Sequence, residues 1–421
     1  MLPYRDLFHK VRAFGTGLME IGMKRGEHIG IISDNREEWI VADLAILGLG
    51  AVDVPRGSDS TEDEISYILG HADCPLVFAE DESQLRKILA RKDKLPLLTT
   101  VIVMDTSFDP STYADTWGVR ILNYEDVMKL GEKLLTDRPK AFDAEIDKGK
   151  GSDLATLIYT SGTTGEPKGV MLTHKGFIFQ IDRVDRLTFS REDIFLSVLP
   201  IWHSFERAVQ YIILSRAGAI AFSKPIGKIL IEDMNKIHPT WMTAVPRLWE
   251  GVRTAVYRNM NKEGGFKKAI FSFFIGVGGL QSYFKTQFRG LLPNFSRRSR
   301  VVDVAVSVIP LIILTPLRGL GHVLVYRKVK ELFGGKFKVG VSGGGALPPH
   351  VDKFYQAIGI LVLEGYGLTE TSPILSVREE KHPVPGTVGR FLPDIQHKVI
   401  DDNAKEVKPG HKGILWVKSQ Q

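Results

Sequence analysis

The segment of the chain best suited to chemistry is Tyr159–His174, which reads YTSGTTGEPKGVMLTH. Glycines let backbone N–H groups approach an anion without a Cβ in the way, and hydroxyls with an ammonium group complete a polyphosphate cradle. A flexible linker is the alternative, but linkers rarely carry a lysine in a Gly/Thr lattice between two strand-like runs. The sequence therefore predicts a phosphate-binding loop made of Thr160, Ser161, Gly162, Thr163, Thr164, Gly165 and Lys168.

This loop does not follow the Walker pattern of P-loop kinases and GTPases. That pattern requires GxxxxGK followed by Ser or Thr. Here Lys168 comes three residues after Gly165 and is followed by Gly169. The apolar run DLATLI before the loop and the run GVMLTH after it predict a strand, a polar loop and a return to ordered structure.

Two further glycine-rich segments lie downstream. In residues 364–373, EGYGLTETSP, Tyr366 offers a stacking face for a base and Glu370 a hard oxygen ligand for Mg²⁺. A tight turn with a solvated glutamate is the alternative. In residues 342–348, SGGGALP, three glycines would let a planar ligand lie against bare backbone, and a plain strand-to-helix turn explains them equally well. The candidate residues of the two segments are Gly343, Gly344, Gly345, Ala346, Glu364, Gly365, Tyr366, Gly367, Thr369 and Glu370.

Size and composition describe an ordinary globular protein. The 421 residues are 43% hydrophobic and 25% charged, enough for two or three domains. The single cysteine, Cys74, excludes an internal disulfide, fits a reducing compartment, and is expected to be a buried structural thiol. The N-terminal residues are polar and charged and show no secretory signal.

The net charge of +6 is concentrated in one region, 264–302, which holds seven basic residues, no acidic residue and many phenylalanines. An uncharged stretch of fourteen residues follows at 304–317; it is shorter than the roughly 20 residues that span a bilayer, and Pro310 and Pro316 are expected to interrupt it. Either the basic residues form a solvated face over a buried helix, or the region contacts an anionic lipid surface. No nucleic-acid motif accompanies the basic residues, so we expect no nucleic-acid partner.

Strand and helix patterns alternate along most of the chain, which predicts an α/β protein of parallel β–α–β units. Residues 4–23 show helical spacing, HIGIIS reads as a strand, and Thr61 with Glu64 forms a capping-box pattern. The polar segment 106–150 is expected to be irregular. In the last segment, 387–421, apolar and polar residues alternate as in β-strands, with turns at Asp401–Asn403 and Pro409–Gly410. This pattern predicts a small antiparallel subdomain.

From about Tyr4 to its end, the chain resembles the adenylate-forming (AMP-binding) superfamily and, within it, the long-chain fatty acid–CoA ligases. The match is carried by YTSGTTGEPKG, by EGYGLTE and by the SGGGALP loop, which resembles the loop under the adenine. LPIWHSFER resembles the family's gate beside the acyl pocket, so Trp202, His203 and Phe205 are expected to form a substrate gate.

The resemblance implies two stacked α/β subdomains, 1–150 and 151–385, an insertion at 264–326, and the start of a β-subdomain at 386–421. It implies ATP-dependent activation of a fatty acid to an acyl-adenylate and transfer to coenzyme A. Lys168, Thr163, Thr164 and Glu370 would be catalytic, with Mg²⁺ held by Glu370 and Thr163. The alternatives are an acyl carrier protein ligase and a non-catalytic nucleotide- or acyl-binding remnant.

The chain departs from the family pattern at its ends. It begins in what would be the first helix of the fold, and GILWVKSQQ resembles the strand that precedes the family's TGD motif, which is not in this sequence. We therefore expect a fragment without the small C-terminal domain. The expected location is the cytoplasm, with peripheral contact at the inner membrane face through 264–326 as an alternative.

Overall fold

The computed structural model describes residues 2–113, 118–161, 165–184, 186–293 and 298–421. The chain separates into two compact units. The first comprises Met1–Ile178, Pro200–Arg207 and Gln421, and the second comprises Phe179–Leu199 and Ala208–Gln420. The division at residues 150 and 385 inferred from the sequence stays a prediction.

A mostly parallel sheet forms the centre of the first unit, with strands in the order β5-β4-β3-β1-β2-β6-β7. Only the pairing of β6 with β7 is antiparallel. The central strands are mostly apolar and are buried, as expected for parallel strands covered on both faces. The strands are β1 (His28–Ile32), β2 (Val52–Arg56), β3 (Leu76–Ala79), β4 (Thr100–Val103), β5 (Arg120–Asn123), β6 (Leu154–Thr160) and β7 (Lys168–Thr173).

Helices connect these strands and bury their apolar faces. The Thr61 hydroxyl accepts a hydrogen bond from the Glu64 backbone N–H at 3.3 Å, which confirms the predicted N-cap of the third helix. The helices are α1 (Tyr4–Glu20), α2 (Glu37–Gly48), α3 (Glu62–His71), α4 (Glu82–Leu89), α5 (Tyr124–Asp137), α6 (Ala141–Ile146) and α7 (His174–Arg183), with short 3₁₀ turns at Lys92–Lys94 and Pro110–Tyr113.

The second unit contains another sheet, in the order β14-β13-β12-β11-β10-β8-β9. Its strands from β12 to β9 are parallel, whereas β13 and β14 are antiparallel to their neighbours. The strands are β8 (Ile194–Ser197), β9 (Ala219–Phe222), β10 (Trp241–Ala244), β11 (Val339–Ser342), β12 (Leu361–Gly367), β13 (Ile374–Val377) and β14 (Arg390–Phe391). A separate antiparallel pair follows, β15 (Gln396–Ile400) and β16 (Ile414–Lys418).

The longest helices of the chain belong to the region of the predicted insertion. A π-helical turn at His322–Tyr326 continues the twelfth helix into the thirteenth, and a 3₁₀ turn covers Thr369–Thr371. The helices are α8 (Ser204–Ser215), α9 (Gly227–Ile237), α10 (Pro246–Glu263), α11 (Gly265–Phe288), α12 (Arg300–Gly321), α13 (Arg327–Glu331) and α14 (Pro349–Ile358).

The predicted fold class, α/β with two mostly parallel sheets and a small antiparallel sheet, is confirmed. Cys74 is buried as predicted. The expectation that 106–150 is irregular is wrong, because the segment forms β5, α5 and α6. The heptad-like spacing of Val127, Leu130 and Leu134 carries the helical signal that the polar composition obscured.

The expectation for the apolar stretch 304–317 is also wrong. Pro310 and Pro316 both lie inside α12, which stays continuous. The helix is not a buried core element either, because most of its apolar side chains are exposed. By length and composition alone, Arg300–Glu331 is the one helix within the described residues that could cross a membrane.

Candidate functional site

The predicted phosphate loop is the connection of an antiparallel hairpin. Strand β6 ends at Thr160 and β7 begins at Lys168, and these two residues pair directly across the hairpin. Ser161, Gly165 and Lys168 are exposed, and Gly165 has a φ of +95°, a backbone conformation that suits glycine. Gly162, Thr163 and Thr164 lie outside the described residues. The described residues of the loop thus present a hydroxyl and an ammonium group to solvent.

Side chains from α3 support both ends of this hairpin loop. The Tyr67 hydroxyl donates to the Pro167 carbonyl at 3.2 Å, and the Tyr159 hydroxyl lies 2.6 Å from Nδ1 of His71. Burial raises the pKa of Tyr159 to about 12, so its hydroxyl stays protonated at neutral pH. A Cβ on Gly169 would lie 3.2 Å from the Tyr159 ring, so glycine lets the two strands close over it.

The predicted gate residues lie just before and within the first turn of α8. The Arg56 guanidinium stacks over the Trp202 ring, 4.7 Å from its centroid. Packing around the His203 imidazole lowers its pKa, and the positive charge of Arg56 lowers the pKa further. His203 is therefore neutral at physiological pH, and its Nδ1 accepts a hydrogen bond from the Phe205 N–H at 3.3 Å.

Polar side chains of the first unit hold both ends of the gate segment. At one end, the Ile201 N–H donates to Asn35 Oδ1 at 2.8 Å. At the other end, the fully buried Arg207 guanidinium donates to Asp43 and to both oxygens of Asp53, with Nη1 at 2.7 Å from Asp53 Oδ1. All three charged side chains are buried, so this network holds the start of α8 in a fixed position.

In the second unit, the other glycine-rich segments follow two neighbouring parallel strands, β11 and β12. Gly343 is buried and its N–H donates to the Ala244 carbonyl at 3.3 Å, whereas Gly344, Gly345 and Ala346 are exposed. Gly344 has a φ of +74°. These residues form an open shelf of bare backbone at the carboxyl edge of the sheet, where ligands of α/β proteins commonly bind.

Strand β12 carries Gly365, Tyr366 and Gly367, and the 3₁₀ turn that follows it carries Thr369 and Glu370. Tyr366 is 37% exposed and Glu370 is exposed, whereas Thr369 is buried. A Cβ on Gly367 would lie 1.8 Å from the Pro373 carbonyl oxygen, so the backbone approach there excludes any other residue. The end of β12 and the 3₁₀ turn after it therefore form a platform that presents the Tyr366 ring and the Glu370 carboxylate.

The buried Glu364 side chain holds the glycine-rich shelf in place through hydrogen bonds. Its Oε1 accepts from the Leu347 N–H at 2.8 Å, and its Oε2 accepts from Arg378 at 2.7 Å. Arg378 also donates to Asp352 Oδ2 on α14 at 2.9 Å. All three side chains are buried. Glu364 thus ties the glycine-rich shelf to β12 and α14, and its two oxygens are already used within the protein.

The donor set for Mg²⁺ is sparse. No group of three or more His, Cys, Asp or Glu side chains that could hold a metal occurs among the residues that the structure describes. Mg²⁺ commonly binds through one or two carboxylates together with substrate phosphates and water. The exposed Glu370 fits that mode, in which a nucleotide would complete the coordination. Thr163, the other predicted ligand, lies outside the described residues.

Sequence reasoning did not identify the two buried arginine networks. Their signals were present as charged residues inside apolar runs: Asp53 in AVDVP, Asp43 in IVADLAIL and Arg378 at the end of ILSVR. A charge in a buried strand or helix requires a partner. The partner's identity depends on long-range packing, since Arg207 lies 154 residues from Asp53.

Known proteins are similar to this chain along nearly all of its length. The chain is 30% identical over 432 residues to a long-chain-fatty-acid–[acyl-carrier-protein] ligase of Arabidopsis thaliana, covering 100% of this chain and 59% of that protein. It is 30% identical over 403 residues to long chain acyl-CoA synthetase 4 of the same plant, covering 93% of this chain and 55% of that protein. The chain thus spans little more than half the length of these relatives.

Solved structures share the fold at low sequence identity. A long-chain-fatty-acid–CoA ligase from Archaeoglobus fulgidus superposes with a TM-score of 0.67 at 16% identity, covering 99% of this chain and 68% of that one. An anthranilate CoA ligase in complex with anthranoyl-AMP gives a TM-score of 0.67 at 18% identity, covering 99% and 64%. The model of the AMP-binding enzyme family matches residues 1–421, and the chain therefore belongs to the AMP-binding enzyme family.

Proposed function

We propose that this chain is the nucleotide- and acyl-binding part of a ligase that activates long-chain fatty acids with ATP. The observation that carries the proposal is the family match over residues 1–421. Two relatives at 30% identity, named for long-chain fatty acids or long-chain acyl-CoA, support the substrate class. The gate segment WHSFER, which resembles the long-chain group, gives the same indication.

The first step joins two anions. A carboxylate oxygen of the fatty acid attacks the α-phosphorus of ATP, the bond from that phosphorus to the bridging oxygen breaks, and pyrophosphate leaves with the electron pair. The product is an acyl-adenylate. Such a reaction depends on positioning and on neutralising negative charge more than on proton transfer.

The residues of the two units have separate roles in this proposal. The hairpin loop, with Thr160, Ser161 and Lys168, binds the triphosphate, and the Lys168 ammonium offsets charge on the phosphates. The shelf at Gly343–Ala346 and the ring of Tyr366 receive the adenine. Glu370 would hold Mg²⁺, which supplies charge neutralisation on the phosphate oxygens when bound. Trp202, His203 and Phe205 border the acyl chain.

In the second step, a thiolate attacks the acyl carbon, and AMP leaves with the oxygen of the broken acyl–phosphate anhydride. The acceptor thiol belongs to coenzyme A or to the phosphopantetheine arm of an acyl carrier protein. The named activities of the two relatives differ on this point. We propose coenzyme A as the acceptor, with an acyl carrier protein as the alternative.

Pyrophosphate exchange into ATP tests the first step. We expect exchange with palmitate, and much weaker exchange with benzoate or an amino acid. Retained ATP binding without exchange for any carboxylate would overturn the ligase proposal and support a binding remnant. Supplying coenzyme A or a holo acyl carrier protein to the acyl-adenylate, and measuring thioester by mass spectrometry, then distinguishes the two acceptors.

A further inference from the structure

Helix α12 is amphipathic, but its orientation is the opposite of an ordinary surface helix: its polar side packs inward and its apolar side faces solvent. Asp303, Ser307 and Gly321 are buried. Ile309 and Ile312 are each 68% exposed and Ile313 is 57% exposed. The other exposed apolar side chains on the helix and its continuation are Val301, Val302, Val306, Val308, Leu320, Val323 and Leu324.

Specific polar bonds fix this orientation. Asp303 Oδ1 accepts from Gln287 Nε2 at 2.9 Å and from Arg298 Nη2 at 3.0 Å. Arg318 Nη1 donates to the Gly278 carbonyl and to Gln281 Oε1, both at 3.0 Å. Turning α12 to bury its isoleucines would break these bonds and carry the Asp303 and Arg318 side chains out of reach of their partners, which is unfavourable. These polar contacts with α11 therefore hold the apolar face of α12 toward solvent.

The exposed face is long and uninterrupted by charge. Val301 to Leu324 spans about 35 Å at the helical rise of about 1.5 Å per residue. Between Asp303 and Arg318 the helix carries no charged residue. Only 11% of the most apolar window of Arg300–Glu331 is buried. Contiguous exposed apolar surface on this scale marks an interaction site.

Positive charge surrounds the face. Residues 264–330 contain eleven Lys and Arg residues and one acidic residue, the buried Asp303. Helices α11 and α12 run antiparallel, because Gln287 meets Asp303 near one end and Tyr326 bonds to the Phe274 carbonyl near the other. Basic residues therefore lie at both ends of the hairpin, with Arg300 at one end and Lys268 and Lys328 at the other. Three more basic residues at these ends are ion-paired: Arg298 with Asp303, Lys267 with Glu263 and Arg327 with Glu331.

We propose that the outward face of α12 lies in the interface of an anionic phospholipid bilayer. An apolar strip with flanking Lys and Arg matches acyl chains below negative headgroups. The occupant is a bilayer in preference to a second copy of this chain, because two copies would bring their two sets of basic residues together. This inference does not depend on the proposed enzymatic function.

The helix is expected to lie along the bilayer surface, not to cross it. Its inner side is joined by polar groups to α11, and α11 in turn packs on α14, where Ser282 Oγ donates to the Gln356 carbonyl at 2.8 Å. A crossing helix would carry Asp303, Arg318 and this attached layer into the hydrocarbon, which is costly. A flat arrangement buries only the exposed strip.

Vesicle sedimentation without nucleotide tests the proposal. The probes are phosphatidylcholine vesicles with and without 30% phosphatidylglycerol (about a third anionic lipid, as a surface of strong negative potential). We expect the protein to sediment with the anionic vesicles, and less so at high salt. The triple variant Ile309→Ser, Ile312→Ser and Ile313→Ser should bind weaker by on the order of a hundredfold.

The matched control is Ile226→Ser, Ile229→Ser and Ile231→Ser, three exposed isoleucines elsewhere in the same unit, which should leave vesicle binding unchanged. All six positions are exposed, so both variants should retain the wild-type melting temperature. Unchanged binding of the α12 variant, or no binding of the wild-type protein to anionic vesicles, would overturn the proposal.

A labelling experiment gives an independent measure. Burial strongly raises the pKa of Cys74, so this thiol should not react, and an introduced cysteine can be labelled selectively. An environment-sensitive fluorophore on Ile312→Cys should shift to the blue with anionic vesicles, whereas one on Ile229→Cys should not. A blue shift that occurs without lipid and grows with protein concentration would show self-association, and would refute the bilayer as occupant.

Discussion

Replacing Arg378 by methionine removes the cation that joins the glycine-rich shelf to the rest of the second unit. Arg378 donates to Glu364 Oε2 at 2.7 Å and to Asp352 Oδ2 at 2.9 Å, and its own side chain is 2% exposed. Methionine has a similar length and no charge. The variant therefore leaves two buried carboxylates without their cation and creates little empty volume.

The expected loss of stability follows from what the carboxylates keep. Removing one partner of a buried ion pair costs about 3–5 kcal/mol. Glu364 retains the Leu347 N–H and Asp352 retains Gln356 Nε2 at 2.9 Å, so each stays partly satisfied. We therefore expect a loss of about 4 kcal/mol, which corresponds to a fall in melting temperature of about 8–16 °C for a unit of this size.

Differential scanning calorimetry measures this fall. Arg258→Met, at an exposed position on α10, is the matched control and should change stability by less than about 0.5 kcal/mol. In a Glu364→Gln background, the cost of Arg378→Met should shrink by about 1–2 kcal/mol, because an amide tolerates the loss of the cation. A melting temperature within about 2 °C of wild type for Arg378→Met would show that its buried ion pairs do not stabilise the unit, since losing one partner of such a pair lowers stability by more than this.

Two further predictions concern the gate and the platform. The pKa of His203 is lower in the folded protein than in the unfolded chain, so the unfolded chain binds the proton first. The free energy of unfolding should therefore fall as the pH drops below about 6.5. His203→Gln should reduce this pH dependence in urea titrations, and an unchanged dependence would contradict the lowered pKa. Gly367→Ala should lower the melting temperature or prevent folding, because its Cβ would overlap the Pro373 carbonyl oxygen; a wild-type melting curve would contradict this.

The parts of the fold that were predictable from sequence are those with strong local signals. The apolar run HIGIIS identified β1, and the Thr61 cap identified the start of α3. The loop between β6 and β7 was predictable because its glycines and hydroxyls interrupt two β-compatible runs. Each of these signals lies within about ten residues and needs no tertiary information.

The parts that failed depend on distant packing. Helix α9 has no capping side chain and was overlooked, and α5 was hidden by its polar exposed face. The prolines of α12 predicted a break, but the helix continues through both. The outward direction of its apolar side was also unpredictable, because it is set by bonds from Asp303 and Arg318 to residues of α11.

Isothermal titration calorimetry with magnesium–ATP measures whether a triphosphate binds at the β6–β7 hairpin, on which the proposed function depends. We expect heat of binding, and a rise in melting temperature with nucleotide concentration. Lys168→Gln should weaken the affinity by at least about tenfold without changing the melting temperature of the free protein, because Lys168 is exposed. Absence of heat in a fully folded protein, or equal affinity in the variant, would contradict triphosphate binding at the β6–β7 hairpin.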